Sequence, residues 1–98
     1  MSVIEIVAFR LRGPASGDAF RAADQRLQIE VVNLQPGIVR RTTANDGDVG
    51  WLVITIWSSP EAADAGALAV ASHPAGIAFA ALIDDASSRS KRYETLPG

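Results

Sequence analysis

The sequence contains no cysteine, which excludes disulfide bonds, thiolate nucleophiles and cysteine-based metal sites. This absence fits a reducing compartment, so we expect a cytoplasmic location. A single histidine provides too few nitrogen ligands for a typical zinc or copper site. Positive charge is also scarce: nine basic residues stand against eleven acidic ones, a formal charge of −2. That balance argues against a general nucleic-acid-binding protein.

One stretch without charged residues, at 65–83, approaches the length of a membrane span. Ser72, His73 and Pro74 interrupt it midway, and its many alanines make it weakly hydrophobic. We therefore expect two short helices here and no membrane span. The N-terminus does not resemble a signal peptide, because Glu5 breaks the first apolar run and no basic region precedes it.

The 98 residues, 48% of them hydrophobic, predict one globular domain across residues 1–98. The central segment, residues 50–59, is rich in valine, isoleucine, threonine and tryptophan, which favours a β-strand. A similar apolar strand is predicted at residues 3–12. Since successive strand residues point to opposite faces, neither strand presents a polar face, and both faces of the sheet must be covered.

The first helix is predicted to begin at about Asp18, because apolar residues after it recur at steps of three and four and form one stripe. The members of this stripe are Phe20, Ala23, Leu27, Val31 and Leu34. Pro36-Gly37 ends the helix, and a second strand is predicted at residues 38–44. An Asp-Gly turn then joins this strand to the central one as an antiparallel hairpin.

A second helix is predicted at about residues 60–71, because Ser59 suits its N-cap and Pro60 its first position. A short helical segment from Pro74 and a polar edge strand at residues 89–96 follow. The resulting order, βαββαβ, predicts an α+β protein of the ferredoxin-like class. In this fold a four-stranded antiparallel sheet carries its helices on one face.

Helices on one face leave the other face of the sheet bare, although both faces are apolar. Seven large side chains at ~1.5–3 kcal/mol each amount to about 10–20 kcal/mol of burial energy. We therefore expect a second copy of the chain to cover the bare face across a two-fold axis. Which strand face meets the helices stays open at this point. One candidate set for the bare face is Val3, Val7, Phe9, Leu11, Trp51, Val53 and Trp57.

Five segments together resemble a known family: IEIVAFRLR, QPGIVRRT, VITIWSSPEAADA, HPAGIAFAALID and RYETL. They resemble the antibiotic-biosynthesis-monooxygenase-like domains of the dimeric α+β barrel superfamily over nearly the whole chain. The resemblance implies a homodimer whose two sheets face each other, with a ligand cleft between the sheet and the helices of each protomer. The superfamily includes cofactor-free monooxygenases of polycyclic aromatic substrates, so the resemblance implies no cofactor.

The same superfamily contains haem-degrading enzymes, which use an Asn on the first strand and a Trp and a His on the second helical segment. Residues 3–12 contain no Asn, and Phe79 stands where that branch places its His. We therefore do not expect haem degradation.

Glu5 is a candidate catalytic residue, because it is a carboxylate inside an otherwise apolar strand. It is either a proton-abstracting base in the cleft or, as we favour, one half of a salt bridge with Arg10, Arg40, Arg41 or Arg92. Arg41 is also a candidate for binding an anionic ligand. Alternation sends Arg40 and Arg41 to opposite faces, however, so solvation is the default for both.

Three further candidates each have a structural alternative. His73 is either a general base or, as we favour, a cap for the following helical segment. Trp57 shares a face with Trp51, and both either stack on an aromatic ligand or, as we favour, bury area at the dimer interface. Tyr93 either donates a hydrogen bond into the cleft or lies on the edge strand with its hydroxyl in solvent.

Two functions are consistent with these features. The first is a small homodimeric, cofactor-independent monooxygenase-like enzyme that acts on a small aromatic or apolar molecule. The alternative is a non-catalytic domain for small-molecule binding or oligomerisation. The fold resemblance does not by itself carry an activity.

Overall fold

The structure, a computed structural model, describes residues 1–97. Four strands and three helices follow one another, with short 3₁₀ turns before the second strand and before the last. They are β1 (Val3–Arg10), α1 (Gly17–Glu30), β2 (Ile38–Asn45), β3 (Gly50–Trp57), α2 (Pro60–Ser72), α3 (Pro74–Ala80) and β4 (Arg89–Glu94). The predicted βαββαβ order is confirmed, with the second helical region divided into α2 and α3.

The four strands form one antiparallel sheet in the order β2-β3-β1-β4. The two apolar strands are therefore central, and the polar strand β4 lies at an edge, as predicted. The hairpin between β2 and β3 turns at Gly47, whose φ of 87° lies in the left-handed region that glycine tolerates. Asp46 accepts hydrogen bonds from the backbone N–H groups of Asp48 and Gly50, which closes the turn.

The helices pack against the odd-numbered residues of β1 and β3. The register pairs Val3 with Trp57 and Phe9 with Trp51, so these side chains share one face. Val3, Phe9 and Trp57 are each at most 3% exposed beneath the helices. The structure decides the choice that the sequence left open: the helix-facing set is the one considered above for the bare face, Val3, Val7, Phe9, Leu11, Trp51, Val53 and Trp57. We define the open face as the apolar residues on the opposite side of the central strands, Ile4, Ile6, Ala8, Leu52, Ile54 and Ile56.

The core beneath the helices has an aromatic centre. Phe20 of α1 is fully buried, and its ring centroid lies 5.6 Å from that of Phe9, 4.7 Å from Trp51 and 5.2 Å from Phe79. Edge and tilted contacts at these separations are favourable for aromatic pairs. The centre fixes α1 and α3 over the sheet at the end where β2 and β3 meet.

Besides the last strand, which ends at Glu94 rather than at residue 96, two predicted boundaries differ from the structure. The first helix ends at Glu30 and a 3₁₀ turn follows, so Leu34 leaves the apolar stripe and is 72% exposed. The first strand ends at Arg10, and Leu11 forms only an isolated bridge with Ile83. Both differences arise where a tighter turn redirects the chain before the periodic pattern runs out.

Ser16 and Ser59 cap the first two helices. Their hydroxyls accept hydrogen bonds from the N–H groups of Ala19 and Ala62, each at 3.1 Å. Across the described chain, we find no helix whose length and hydropathy would let it cross a membrane.

Candidate functional site

A cleft of about 610 Å³ lies between the sheet and the three helices. Its volume falls in the range typical of small-molecule sites. The cleft is lined largely by apolar side chains, of which Phe9, Trp57 and Phe79 are aromatic. The other apolar lining residues with large side chains are Val7, Leu27, Val32, Val53, Val70, Ile77 and Ile83.

One row of polar residues crosses the sheet beneath this cleft. The strand register pairs Arg41 with Thr55, Thr55 with Glu5, and Glu5 with Arg92. Residues directly opposite each other in an antiparallel sheet point to the same face. Arg41, Thr55 and Glu5 line the cleft, whereas Arg92 lies beside it on the edge strand. We call these four residues the polar row.

Glu5 is held by three N–H donors. The indole Nε1 of Trp57 donates to one carboxylate oxygen at 2.7 Å. Arg92 donates to the other from Nη2 at 2.9 Å and from Nε at 3.2 Å. Arg92 is therefore the partner among the four arginines considered from the sequence. These hydrogen bonds use most of the acceptor capacity of the carboxylate and fix its direction relative to the cleft.

Arg92 also joins the sheet to α2, because its Nη1 donates to Asp64 at 2.8 Å. The hydrogen bond to Asp64, followed by the one to Glu5, raises the pKa of Arg92 above its ordinary value. The guanidinium is thus charged throughout the pH range in which proteins fold, and it bridges two carboxylates.

Trp57 reaches Glu5 because α2 leaves space for its indole ring. A Cβ atom built on Gly66 would lie well inside the van der Waals radius of that ring. Gly66 is buried in the second turn of the helix, where glycine is otherwise unfavourable. The glycine therefore allows a close approach between the helix and the tryptophan.

Arg41 lies at the other end of the polar row and is 5% exposed, so the expected solvation of this residue was wrong. Its Nη2 contacts Asp24 at 2.8 Å, and its Nη1 donates to Gln28 at 3.2 Å. Thr43 donates to the same Asp24 oxygen at 2.9 Å. The guanidinium also lies 5.6 Å from the centre of the Phe79 ring, within cation–π distance. A buried charge is acceptable here because it is paired.

Comparisons with known proteins support the fold. No protein-family model matches the sequence, and neither does any curated protein. Among solved structures, SnoaB of Streptomyces nogalater, a cofactor-independent oxygenase, is 20% identical, with a TM-score of 0.76. The match covers 99% of this chain and 95% of SnoaB. A candidate antibiotic biosynthesis monooxygenase from Chloroflexus aurantiacus is 24% identical, with a TM-score of 0.71. That match covers 100% of this chain and 96% of the other.

The chain has the fold of the antibiotic biosynthesis monooxygenases. A third neighbour, from Bacteroides fragilis, is described as a dimeric protein of unknown function with a ferredoxin-like fold. It is 17% identical, with a TM-score of 0.65, and the match covers 96% of each chain. The resemblance inferred from the sequence is therefore confirmed for the fold. Identities this low leave the activity to be argued from the site itself.

Within this fold, two candidates from the sequence lie away from the cleft. The ring Nδ1 of His73 accepts a hydrogen bond from the N–H of Ala75 at 3.0 Å and so caps α3. Tyr93 pairs with Ile4, which places it on the open side of the sheet, where it is 44% exposed. The structure does not bring either residue together with Glu5.

The tryptophans also differ from the favoured interpretation. Both face the helices, so neither lies on the open face where a sheet-to-sheet interface would form. Trp57 lines the cleft. Trp51 is outside it, packed on Phe20 with Arg21 5.5 Å from its ring centre. The alternative of contact with a ligand therefore applies to Trp57 alone.

Sequence reasoning missed three residues that shape the site: Asp24, Asp64 and Gly66. Asp24 and Asp64 lie on helices, and only the packing of those helices brings them to Arg41 and Arg92. Gly66 did carry a signal, since a glycine inside a predicted helix often marks a close contact. Over residues 1–97, no group of three or more metal-binding side chains comes together.

Proposed function

We propose that this protein is a cofactor-independent, monooxygenase-like enzyme that acts on a small aromatic or otherwise apolar molecule. The observation that carries the proposal is Glu5, a carboxylate oriented by three N–H donors at the edge of an apolar cleft. The likeness to SnoaB, which is described as a cofactor-independent oxygenase, supports the oxygen chemistry.

The roles in this proposal follow from the contacts of the cleft. Trp57 and Phe79 provide aromatic surface for a flat ligand. Glu5 accepts the proton of a phenolic hydroxyl group on the ligand, which makes the ligand electron-rich enough to react with molecular oxygen. For a methylene carbon conjugated to that phenol, CH₂ plus O₂ gives C=O plus H₂O. The carbon is oxidised, one oxygen atom enters the product, and the other leaves as water with both hydrogens.

The proposal is tested by supplying quinol-like and anthrone-like aromatics under oxygen and measuring oxygen uptake together with product mass. We expect turnover by the native protein and a loss of about 100-fold or more in Glu5→Gln, the lower end of what a positioned general base contributes. Glu61→Gln, an exposed carboxylate at the start of α2, is the matched control and should keep full activity. Turnover that is unchanged in Glu5→Gln would remove Glu5 from the mechanism.

A non-catalytic binding domain is the second candidate, and one observation favours it. Three of the roughly four lone-pair positions of the Glu5 carboxylate are already used by Trp57 and Arg92. A carboxylate bonded in this way is well suited to a structural salt bridge. Tight binding of aromatics with no oxygen uptake would support this candidate over the enzyme.

We further propose that the chain functions as a homodimer joined through the open face. The six apolar residues of that face have no helix over them, and exposing large aliphatic side chains costs about 1.5–3 kcal/mol each. The Bacteroides fragilis neighbour, described as dimeric, supports this arrangement. Native mass spectrometry should give about twice the chain mass of 10.3 kDa. A clean monomer would contradict the proposal.

A further inference from the structure

We infer that the cleft selects ligands with two polar ends: a hydroxyl donor near Glu5 and an oxygen acceptor near Arg41. This inference rests on the proposed function only in assuming that the cleft binds a small molecule. It adds the chemical class of that molecule, namely a flat, apolar body with a donor at one end and a carbonyl or carboxylate at the other. The observation behind it is the polar row.

The first step concerns the Glu5 end of the row. Its carboxylate accepts three hydrogen bonds and has capacity for about one more. An ionised carboxylate accepts but does not donate, so the complementary ligand group there is an O–H or N–H. A ligand carboxylate at this end would repel Glu5 at close range.

The second step concerns the Arg41 end. A guanidinium has five N–H donors and no acceptor. Asp24 and Gln28 account for its Nη2 and Nη1 contacts, and Nε has no acceptor among residues 1–97. No fully buried polar side-chain atom in that range lacks a partner, so this Nε retains access to open space. Because Arg41 lines the cleft, the complementary ligand group at this end is an oxygen acceptor.

The third step concerns the centre of the row and its length. Thr55 stands between Glu5 and Arg41 in the register. Its hydroxyl makes no hydrogen bond to another described residue, and it is accessible by the same reasoning. Neighbouring strands lie about 4.8 Å apart, so Glu5 and Arg41 are separated by about 10 Å across the sheet. The long axis of a naphthalene carrying one oxygen group at each end has a similar length.

The fourth step compares the cleft side of the sheet with its open side. Arg40 is adjacent to Arg41 in sequence, yet it pairs with Ile56 and so points to the opposite face. It offers a matched control for the effect of charge, because a substitution there leaves the cleft untouched.

The test is a binding comparison among naphthalene probes by ¹H–¹⁵N NMR, read at the indole N–H of Trp57. Trp51, which lies outside the cleft, supplies the second indole signal as an internal reference. We expect 6-hydroxy-2-naphthoic acid to bind at least about tenfold more tightly than 2-naphthol or 2-naphthoic acid, a typical gain for one charged hydrogen bond. The 3-hydroxy isomer has the same groups at the wrong separation and should show no such gain. The methyl ester of the 6-hydroxy acid shows whether a carbonyl acceptor suffices.

Substitutions at Arg41 and Arg40 test whether Arg41 binds the carboxylate end of the ligand. Asp24→Asn combined with Arg41→Gln removes both charges of the pair together, which avoids an unpaired carboxylate. It should lower the affinity for the 6-hydroxy acid about tenfold and leave that for 2-naphthol within about twofold. Arg40→Gln should change neither affinity. If the double variant does not fold, the comparison of isomers on the native protein still decides the question.

The outcomes separate this inference from the proposed function. Equal affinities for all five naphthalenes would overturn the two-ended selection and leave the cleft as a general apolar site. Absence of any Trp57 shift with every probe would overturn both. Selective binding of the 6-hydroxy acid without oxygen uptake by any substrate would support the inference and contradict the oxygenase.

Discussion

The two faces of the sheet are built from the same strands but differ in where their polar residues lie. On the helix side, Glu5, Thr55 and Arg41 interrupt an apolar surface, and the two charged residues have specific partners. On the open side, the central strands carry aliphatic residues except at the end of β1, where Arg10 pairs with Gly50. The other cations of this side, Arg40, Lys91 and Arg89, lie on the outer strands. An apolar face with charges only at its margin suits burial against another protein surface, whereas a cleft with oriented charges suits a ligand.

The largest expected effect tests the open face. Ile54→Asp places a charge at the centre of that face and should raise the dimer dissociation constant at least ~100-fold, since a buried unpaired charge is costly. Analytical ultracentrifugation over a concentration series measures it. Leu68→Asp, on the exposed side of α2, is the control and should leave assembly unchanged. A dimer that tolerates Ile54→Asp must use another surface.

The next effect tests the fit between α2 and the cleft side of the sheet. Gly66→Ala should lower the free energy of unfolding by about 1–3 kcal/mol, because the new methyl group overlaps the Trp57 ring. Helix propensity alone would favour alanine by about 1 kcal/mol, so the sign of the change is diagnostic. Gly13→Ala, where a Cβ meets nothing, should stay within about 0.5 kcal/mol of the native protein. Urea denaturation gives both values, and a stabilised Gly66→Ala would contradict the close approach.

A smaller effect separates the two tryptophans. Trp57→Phe removes an indole N–H that donates to Glu5. Trp51→Phe removes an indole N–H that makes no hydrogen bond to another described residue. We expect Trp57→Phe to be more destabilising by about 1–2 kcal/mol, the cost of leaving a charged acceptor one donor short. Thermal denaturation of both variants measures the difference. Equal losses would mean that Trp57 contributes through packing alone.

The smallest effect concerns a residue that belongs to neither face. His73→Ala should lower stability by about 0.5–1.5 kcal/mol through loss of the α3 cap, and His73→Asn should restore most of it. Oxygen uptake and naphthalene binding should be unchanged in both variants. A loss of activity in His73→Asn at native stability would return His73 to the list of catalytic candidates.

How far the sequence predicted this structure depends on the kind of information each residue carries. Hydrophobic periodicity, the Ser59-Pro60 helix start and the Asp-Gly turn are local signals, and they predicted the order of strands and helices. The face that meets the helices was not predictable in the same way. Both sets of residues on β1 and β3 are apolar, so period-two alternation does not show which set faces the helices.

The candidate site was predicted in part for a related reason. Glu5 was noticeable because a carboxylate in an apolar strand is locally anomalous. Alternation separates Arg41 from Arg40 and predicts solvation for both. The burial of Arg41 was missed because its partner Asp24 lies on α1 and no local pattern links the two. Contacts between a strand and a helix that crosses it depend on tertiary packing, and a single sequence does not predict them.

Arg92 and Glu5 are separated by 87 positions along the chain, yet their contact completes the polar row. The N–H of Thr95 also bonds to the carbonyl of Ser2, and β4 pairs with β1 along the whole length of β4. Closing so long a loop is among the slower events in folding. A chain in which the first three strands have already formed would contain the apolar cleft but not the cation that orients its carboxylate. The ability to recognise a ligand should therefore arise late in folding, at the step that joins β4 to β1.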